Sequence, residues 1–182
     1  MYDCNEYNVK KYIETFNCIL RNMIMGMMCV SPSDSISHDF ILQMIPHHRA
    51  AIQMSKNILK YTDDSKIQKI SLNIISEQTK SIANMQKVLH RCNCYKNSGD
   101  EVLKYQIKFQ NIATEMYYKM SHAKITDCIN YNFLTEMIPH HEGAILMSEN
   151  TLDYDICPEL KPILEAIIIS QCNGVKEMER LL

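Results

Sequence analysis

Tryptophan is absent from these 182 residues, and glycine occurs only four times. So few glycines leave little material for the tight turns that a β-sheet requires, and a helical chain is expected. No run of about 18 apolar residues is present to span a bilayer, so no membrane partner is expected. The opening MYDCNEYNVKKY lacks the basic stretch and apolar core of a secretory signal, which points to a cytoplasmic location. Charge of one sign is lacking too. Nineteen Lys and Arg stand against 21 Asp and Glu, a formal net charge of -2, and nothing in that balance favours a nucleic acid or an anionic surface as partner. The eight cysteines (Cys4, Cys18, Cys29, Cys92, Cys94, Cys128, Cys157 and Cys172) show none of the paired spacings of a zinc ribbon. In a reducing compartment they are expected to be free thiols. Their one close couple, Cys92 and Cys94, falls in a connecting loop, where a metal role competes with plain apolar filling.

What the chain does have is methionine, thirteen in all, and a motif that occurs twice. MIPHHRAAIQMS at 44 to 55 returns as MIPHHEGAILMS at 137 to 148, an offset of 93 residues. The same offset pairs Tyr12 with Tyr105, Phe16 with Phe109, Met23 with Met116 and Met27 with Met120 ahead of the motif, then Gln78 with Gln171 and Met85 with Met178 after it. No gap is needed. The chain reads as a tandem duplication, 1 to 93 and 94 to 182, the two repeats together making one compact domain.

Apolar residues recur at three- and four-residue steps throughout, as in Tyr12, Phe16, Ile19, Met23 and Met27. This periodicity predicts three helices per repeat, at about 5 to 29, 38 to 61 and 65 to 91, then about 99 to 122, 131 to 154 and 158 to 182. Asp39 is a candidate helix cap, and Pro158 fits the first turn of the last helix. Pro46 and Pro139 are expected near the second turn of their helices, removing a backbone hydrogen bond and kinking each just ahead of its histidines.

At about 100 degrees per residue, Met44 lies one turn from His48 and nearly so from His47, so either pair can chelate one ion through thioether and imidazole. Adjacent histidines diverge too far to grip the same ion on a regular helix. Met54 shares a stripe with His47 but lies roughly 10 Å further along the axis. Ala51 and Ala144 leave room beside the imidazoles, Gln78 and Met85 share a stripe on the third helix, and Met23 with Met27, repeated as Met116 with Met120, form one-turn thioether pairs. Thioether and imidazole donors, with no carboxylate kept in both sets, suit a soft ion such as Cu(I) rather than magnesium or calcium. Methionine at helical spacing is also ordinary core filler, and a buried histidine is often a hydrogen-bonded structural residue. From the residues alone, metal site and structural motif both stand.

The pattern of Phe40, Met44, Ile45, Pro46, His47, His48, Ala51, Met54, Gln78 and Met85, repeated as Phe133, Met137, Ile138, Pro139, His140, His141, Ala144, Met147, Gln171 and Met178, resembles the DUF305 family. The resemblance implies an all-α, ferritin-like four-helix bundle, often a tandem duplication. It also implies binding of copper as Cu(I), or of silver in its place, by these Met and His residues. Two departures bear on any carboxylate role: the acidic residue before the aromatic is Asp39 in one repeat but Asn132 in the other, and a Glu common on the third helix is replaced by Ser81 and Gly174.

The resulting expectation is a non-enzymatic copper-binding bundle, built from the second and third helices of each repeat with the first helices packed on it. Its ligand set is Met44, His47, His48, Met54, Met85, Met137, His140, His141, Met147 and Met178, with Met23, Met27, Met116 and Met120 in second rank. Ligation needs neutral imidazole, so affinity is expected to fall below about pH 6.5. A homodimer is compatible with this reading. Two other functions stand beside it. A structural or partner-binding bundle would use the histidines to bond the carbonyls freed by Pro46 and Pro139. A di-iron oxidase would need Glu-x-x-His motifs, which this chain lacks.

Overall fold

Tyr12, Phe16, Ile19, Met23 and Met27, spaced by three and four in the sequence, are all buried on one face of the first helix. That rule repeats along the chain. The structure, a computed structural model, describes residues 6–182 and contains six helices: α1 (Glu6–Met28), α2 (Ile36–Ile58), α3 (Ser65–Asn93), α4 (Gly99–Ser121), α5 (Ile129–Leu152) and α6 (Lys161–Glu179). No strand occurs among the described residues, and none of the helices is long and apolar enough to cross a membrane.

Local chemistry sets the boundaries. Ser35 caps α2, accepting a hydrogen bond from the His38 N–H at 3.2 Å, so this helix begins before the expected position. Asp39 is therefore not the cap. Its carboxylate, buried in the first turn, accepts from the Ser33 backbone N–H at 3.1 and 3.0 Å and from the Ser33 hydroxyl at 2.6 Å, stapling the preceding turn. Asn132 does the same with Thr126, at 2.9 Å for both the N–H and the hydroxyl. An amide oxygen suffices for that task, so the turn is kept with Asn in the second repeat. Asp64 caps α3, and Ser98 with Glu101 forms a reciprocal capping box on α4. Pro158 lies in a turn before α6 rather than in its first turn. The Leu160 N–H bonds the Cys157 carbonyl at 2.9 Å there, and Pro162 takes the first-turn place where a missing N–H costs nothing.

Both α2 and α5 run unbroken through Pro46 and Pro139, which lie well past the second turn. The carbonyls of Leu42 and Thr135 accordingly lack an N–H four residues on. The proline ring of Pro46 meets α1 closely: a Cβ on Gly26 would fall 2.9 Å from the Pro46 Cβ.

Helices α2 and α5 touch in the middle of the molecule. With α3 on α2, α6 on α5 and α3 against α6, they close the expected four-helix ring. A second ring shares the same central pair: α1 packs on α2, α4 on α5, and α1 touches α4. The first helices of the repeats are thus a matched pair closing their own ring. Equivalent contacts recur across the halves, with the Asn57 amide donating to the Tyr12 carbonyl at 3.0 Å and the Asn150 amide to the Tyr105 carbonyl at 3.3 Å.

Candidate metal centre

The two histidine pairs meet where α2 crosses α5. His47 and His140 lie with ring centroids 3.7 Å apart and planes inclined by 30°. His140 Nε2 is 3.3 Å from the His47 carbonyl oxygen, to which it donates in its Nε2–H tautomer. Within each pair the rings are 5.9 Å apart and tilted by 53° and 56°, as expected for adjacent positions on a helix. The stack across the repeats has no counterpart in sequence spacing.

Each outer histidine faces a third helix. His48 Nε2 is 3.0 Å from Ser81 Oγ on α3. Its counterpart His141 lies against Gly174 on α6, where a Cβ would fall 2.8 Å from the imidazole Cδ2 and 3.0 Å from Nε2. The two departures noted on the third helices therefore belong to the site: a hydroxyl bonds one imidazole, and a missing side chain makes room for the other. Ser81 stands between Gln78 and Met85 on one helical stripe, so that stripe faces His48 through Ser81.

All four imidazoles are buried. Burial holds His47 and His140 well below the ordinary histidine range, and it pushes His48 down to about 3 and His141 to about 4. They are neutral bases at neutral pH, the form a metal requires. Nδ1 of His48 and Nδ1 of His140 have no hydrogen-bond partner, and His47 and His141 have only weak contacts with the His140 and Met137 backbone. Gln78 Oε1 and Gln171 Oε1 are likewise unpartnered. Buried polar atoms almost always find a partner, so a cluster of orphans in equivalent positions of two repeats is a site with donor capacity unspent. None of the four histidines bonds the carbonyl of Leu42 or Thr135, so the proline-freed carbonyls do not account for them.

The sequence-selected methionines are all buried: Met44, Met54, Met85, Met137, Met147 and Met178, and equally Met23, Met27, Met116 and Met120. Met85 and Met178 lie on the helices that His48 and His141 face. Met23, Met27, Met116 and Met120 belong to α1 and α4, in the other ring. There Met116 packs its thioether against Gly143, so close that a Cβ at that position would collide with it. Among the described residues no three His, Cys, Asp or Glu gather in a way that could hold an ion, so an ion held here would have to draw on thioethers as well. Neutral nitrogens and neutral sulfurs fit a soft monovalent ion, which adds only one charge to a dry interior.

Sequence spacing did not reveal the polar layer beside the site. The Tyr12 hydroxyl donates to Glu136 at 2.6 Å, and the Tyr105 hydroxyl donates to Gln43 at 2.7 Å. Gln43 in turn donates to Gln106 at 2.9 Å, and Gln106 to Asp39 at 2.9 Å. The signal was present in the offset of 93, which pairs Tyr12 with Tyr105 and Gln43 with Glu136. Glu136 is pushed up to about 8 by burial.

Two solved structures resemble this fold. One, described as CopM in the Ag-bound form by soaking, is 26% identical at a TM-score of 0.59, the match covering 80% of this chain and 93% of that one. The other, a DUF305 fragment from Deinococcus radiodurans, is 21% identical at the same TM-score, covering 83% and 97%. No curated protein matches significantly. The family model for DUF305, a domain of unknown function, matches residues 37–182, from the first turn of α2 to the end of the chain. That span holds both histidine helices and both helices that face them, and the chain belongs to the DUF305 family.

Proposed function

We propose that this protein binds Cu(I), or Ag(I) in its place, through the two Met/His sets, and that it buffers or stores the ion without performing catalysis. The observation that carries this reading is the group of four buried, neutral histidines whose nitrogens are unpartnered or only weakly bonded at the α2–α5 contact, surrounded by helices whose buried faces carry methionine. The silver-bound form of the structural relative CopM supports a soft monovalent ion as cargo. In-plane lone pairs of two stacked rings cannot converge on one point between them. His47 and His140 therefore direct their donors to different places, which supports two equivalent ion positions, one per repeat. The repeats would act as one unit, because these two rings meet at their boundary. Met44, His48 and Met85, with Met137, His141 and Met178, would complete the sets; Met54 and Met147, two turns beyond His47 and His140, are further donors.

The test is an anaerobic Cu(I) titration against a competing chromogenic chelator. It compares the full chain with a variant carrying His47→Ala, His48→Ala, His140→Ala and His141→Ala. Stoichiometric withdrawal of copper by the wild type, lost in a variant that keeps its helical circular dichroism, is expected. Equal withdrawal by both would assign the copper to cysteine and leave the histidines structural.

A further inference from the structure

Cys92 and Cys94, the close couple in the sequence, do not face one another. Cys94 is exposed, its thiol pointing back to the His90 carbonyl at 3.6 Å, whereas Cys92 is buried. The neighbour of Cys92 comes from the other repeat: Cys157, which precedes α6 and is also buried, lies beside it. Two serines on the start of α2 hold the backbones of these residues side by side. The Ser35 hydroxyl donates to the Cys92 carbonyl at 2.7 Å, and the Ser37 hydroxyl accepts from the Cys157 N–H at 2.9 Å. Around them, Cys157 Sγ lies 3.3 Å from Glu159 Oε2, and the same carboxylate forms an ion pair with Arg91 at 2.9 Å. A thiol pair so clamped, with a half-exposed carboxylate beside one member, is more than small apolar filling.

We propose that Cys92 and Cys157 are a redox-convertible pair, which a small-molecule disulfide of the glutathione class oxidises to a cross-link joining the end of α3 to the loop between α5 and α6. The buried surroundings favour a disulfide over a metal dithiolate, because the disulfide is neutral and the dithiolate complex of a monovalent ion carries a negative charge into a dry site. Cys157, the less enclosed of the two thiols and the one beside a half-exposed side chain, is the entry thiol. Its thiolate attacks the external disulfide, forming a mixed disulfide and releasing one thiolate. Cys92 then gives up its proton and attacks Cys157 Sγ, displacing the second. Two protein thiols and one external disulfide become one protein disulfide and two external thiols; the protein loses two electrons, and the two protons pass to the departing thiolates. The cross-link closes a long loop spanning both repeats, so it removes freedom from the unfolded chain and tightens the ring of α2, α3, α5 and α6.

This inference is independent of the copper reading and is tested without metal. The full chain is equilibrated with mixtures of reduced and oxidised glutathione under chelator, quenched by acid, and its disulfides mapped by mass spectrometry while the thermal midpoint is followed. The expected result is a Cys92–Cys157 peptide forming before any other intramolecular pair, with a midpoint rise of about 10 °C that dithiothreitol reverses. Cys94→Ser should keep both effects, and Cys157→Ser should lose both. Formation of Cys92–Cys94 instead, glutathione left on Cys157 as a stable mixed disulfide, or a cross-link with no change in midpoint would each overturn the proposal.

Discussion

His47 and His140 lie face to face across the contact of α2 and α5, ring centroids 3.7 Å apart, with Nδ1 of His140 unpartnered and the His47 nitrogens making no more than a weak contact to the His140 backbone. A hydrophobic replacement of similar size removes the poorly satisfied groups of the ring it replaces. His47→Leu is therefore expected to stabilise the metal-free protein by about 1 kcal/mol while reducing the rise in thermal midpoint that Cu(I) gives the wild type, since one of the two ion positions loses a donor. Paired melts with and without Cu(I) check this, and a destabilised variant that gains as much from Cu(I) as the wild type would contradict it.

Acid should unfold the protein earlier than an ordinary helical bundle. Unfolded, each buried histidine takes up a proton near pH 6.5; folded, His48 does so only at about 3 and His141 at about 4. Their contribution is fully present above pH 6.5 and is lost as the pH falls toward the folded values. Between pH 7 and 5 that loss is roughly 1 to 2 kcal/mol for each. Urea midpoints across this range measure it, and the loss should shrink in His48→Leu.

The same depression changes the expected pH dependence of Cu(I) binding. Sequence alone suggested a decline below about pH 6.5, the ordinary imidazole value. Buried as they are, these imidazoles remain neutral well below it, so affinity should hold from pH 7.5 to 5.5 and fall only nearer pH 4, where His141 begins to charge. Competition titrations at fixed chelator affinity decide between the two profiles.

Glu136 acts in the opposite direction. Its folded value near 8 lies above that of the unfolded carboxyl, so its contribution is present below about pH 4.5 and is lost as the pH rises through 8. Glu136→Gln restores the residue type of Gln43 in the first repeat and can still accept the Tyr12 hydroxyl. It should stabilise the protein at pH 8.5 by on the order of 2 kcal/mol and leave it unchanged at pH 4. Equal effects at both pH values would show that the carboxyl is not the cause.

Gly174→Ala tests the space beside His141. Alanine is the better helix former by about 1 kcal/mol, yet its Cβ would sit 2.8 Å from the His141 ring. Overpacking at a buried ring costs about 1 to 3 kcal/mol, so a net loss of stability and a weakened second ion position are expected. The control Gly99→Ala, at an open position of α4, should show no such loss.

Much of the architecture was legible in the chain because helices write their buried face into a local period. Tyr12, Phe16, Met23 and Met27 are enough to place α1 and its face, and the offset of 93 gives the same for α4. Cap chemistry was harder to read. Asp39 and Pro158 both carry helix-start chemistry, but Ser35 and Pro162 hold those places, since capping depends on which neighbouring turn closes first. The candidate donors were legible as residue types; their arrangement was not. Met44 one turn from His48 is a local fact, whereas His47 on His140 and Cys92 on Cys157 are encounters between segments far apart in the chain.

By itself the sequence determined the helices, the matching identities at an offset of 93 and the residue types of the MIPHH segments, because each depends on residues within a few turns of one another or on identity at a fixed offset. Only the tertiary structure decided that the two histidine pairs share one buried contact, that Ser81 and Gly174 border it, and that the imidazoles stay neutral far below their ordinary range. Those properties come from desolvation and from contact across α2, α3, α5 and α6. No local period encodes them, since the energy of a buried group depends on what surrounds it from every side.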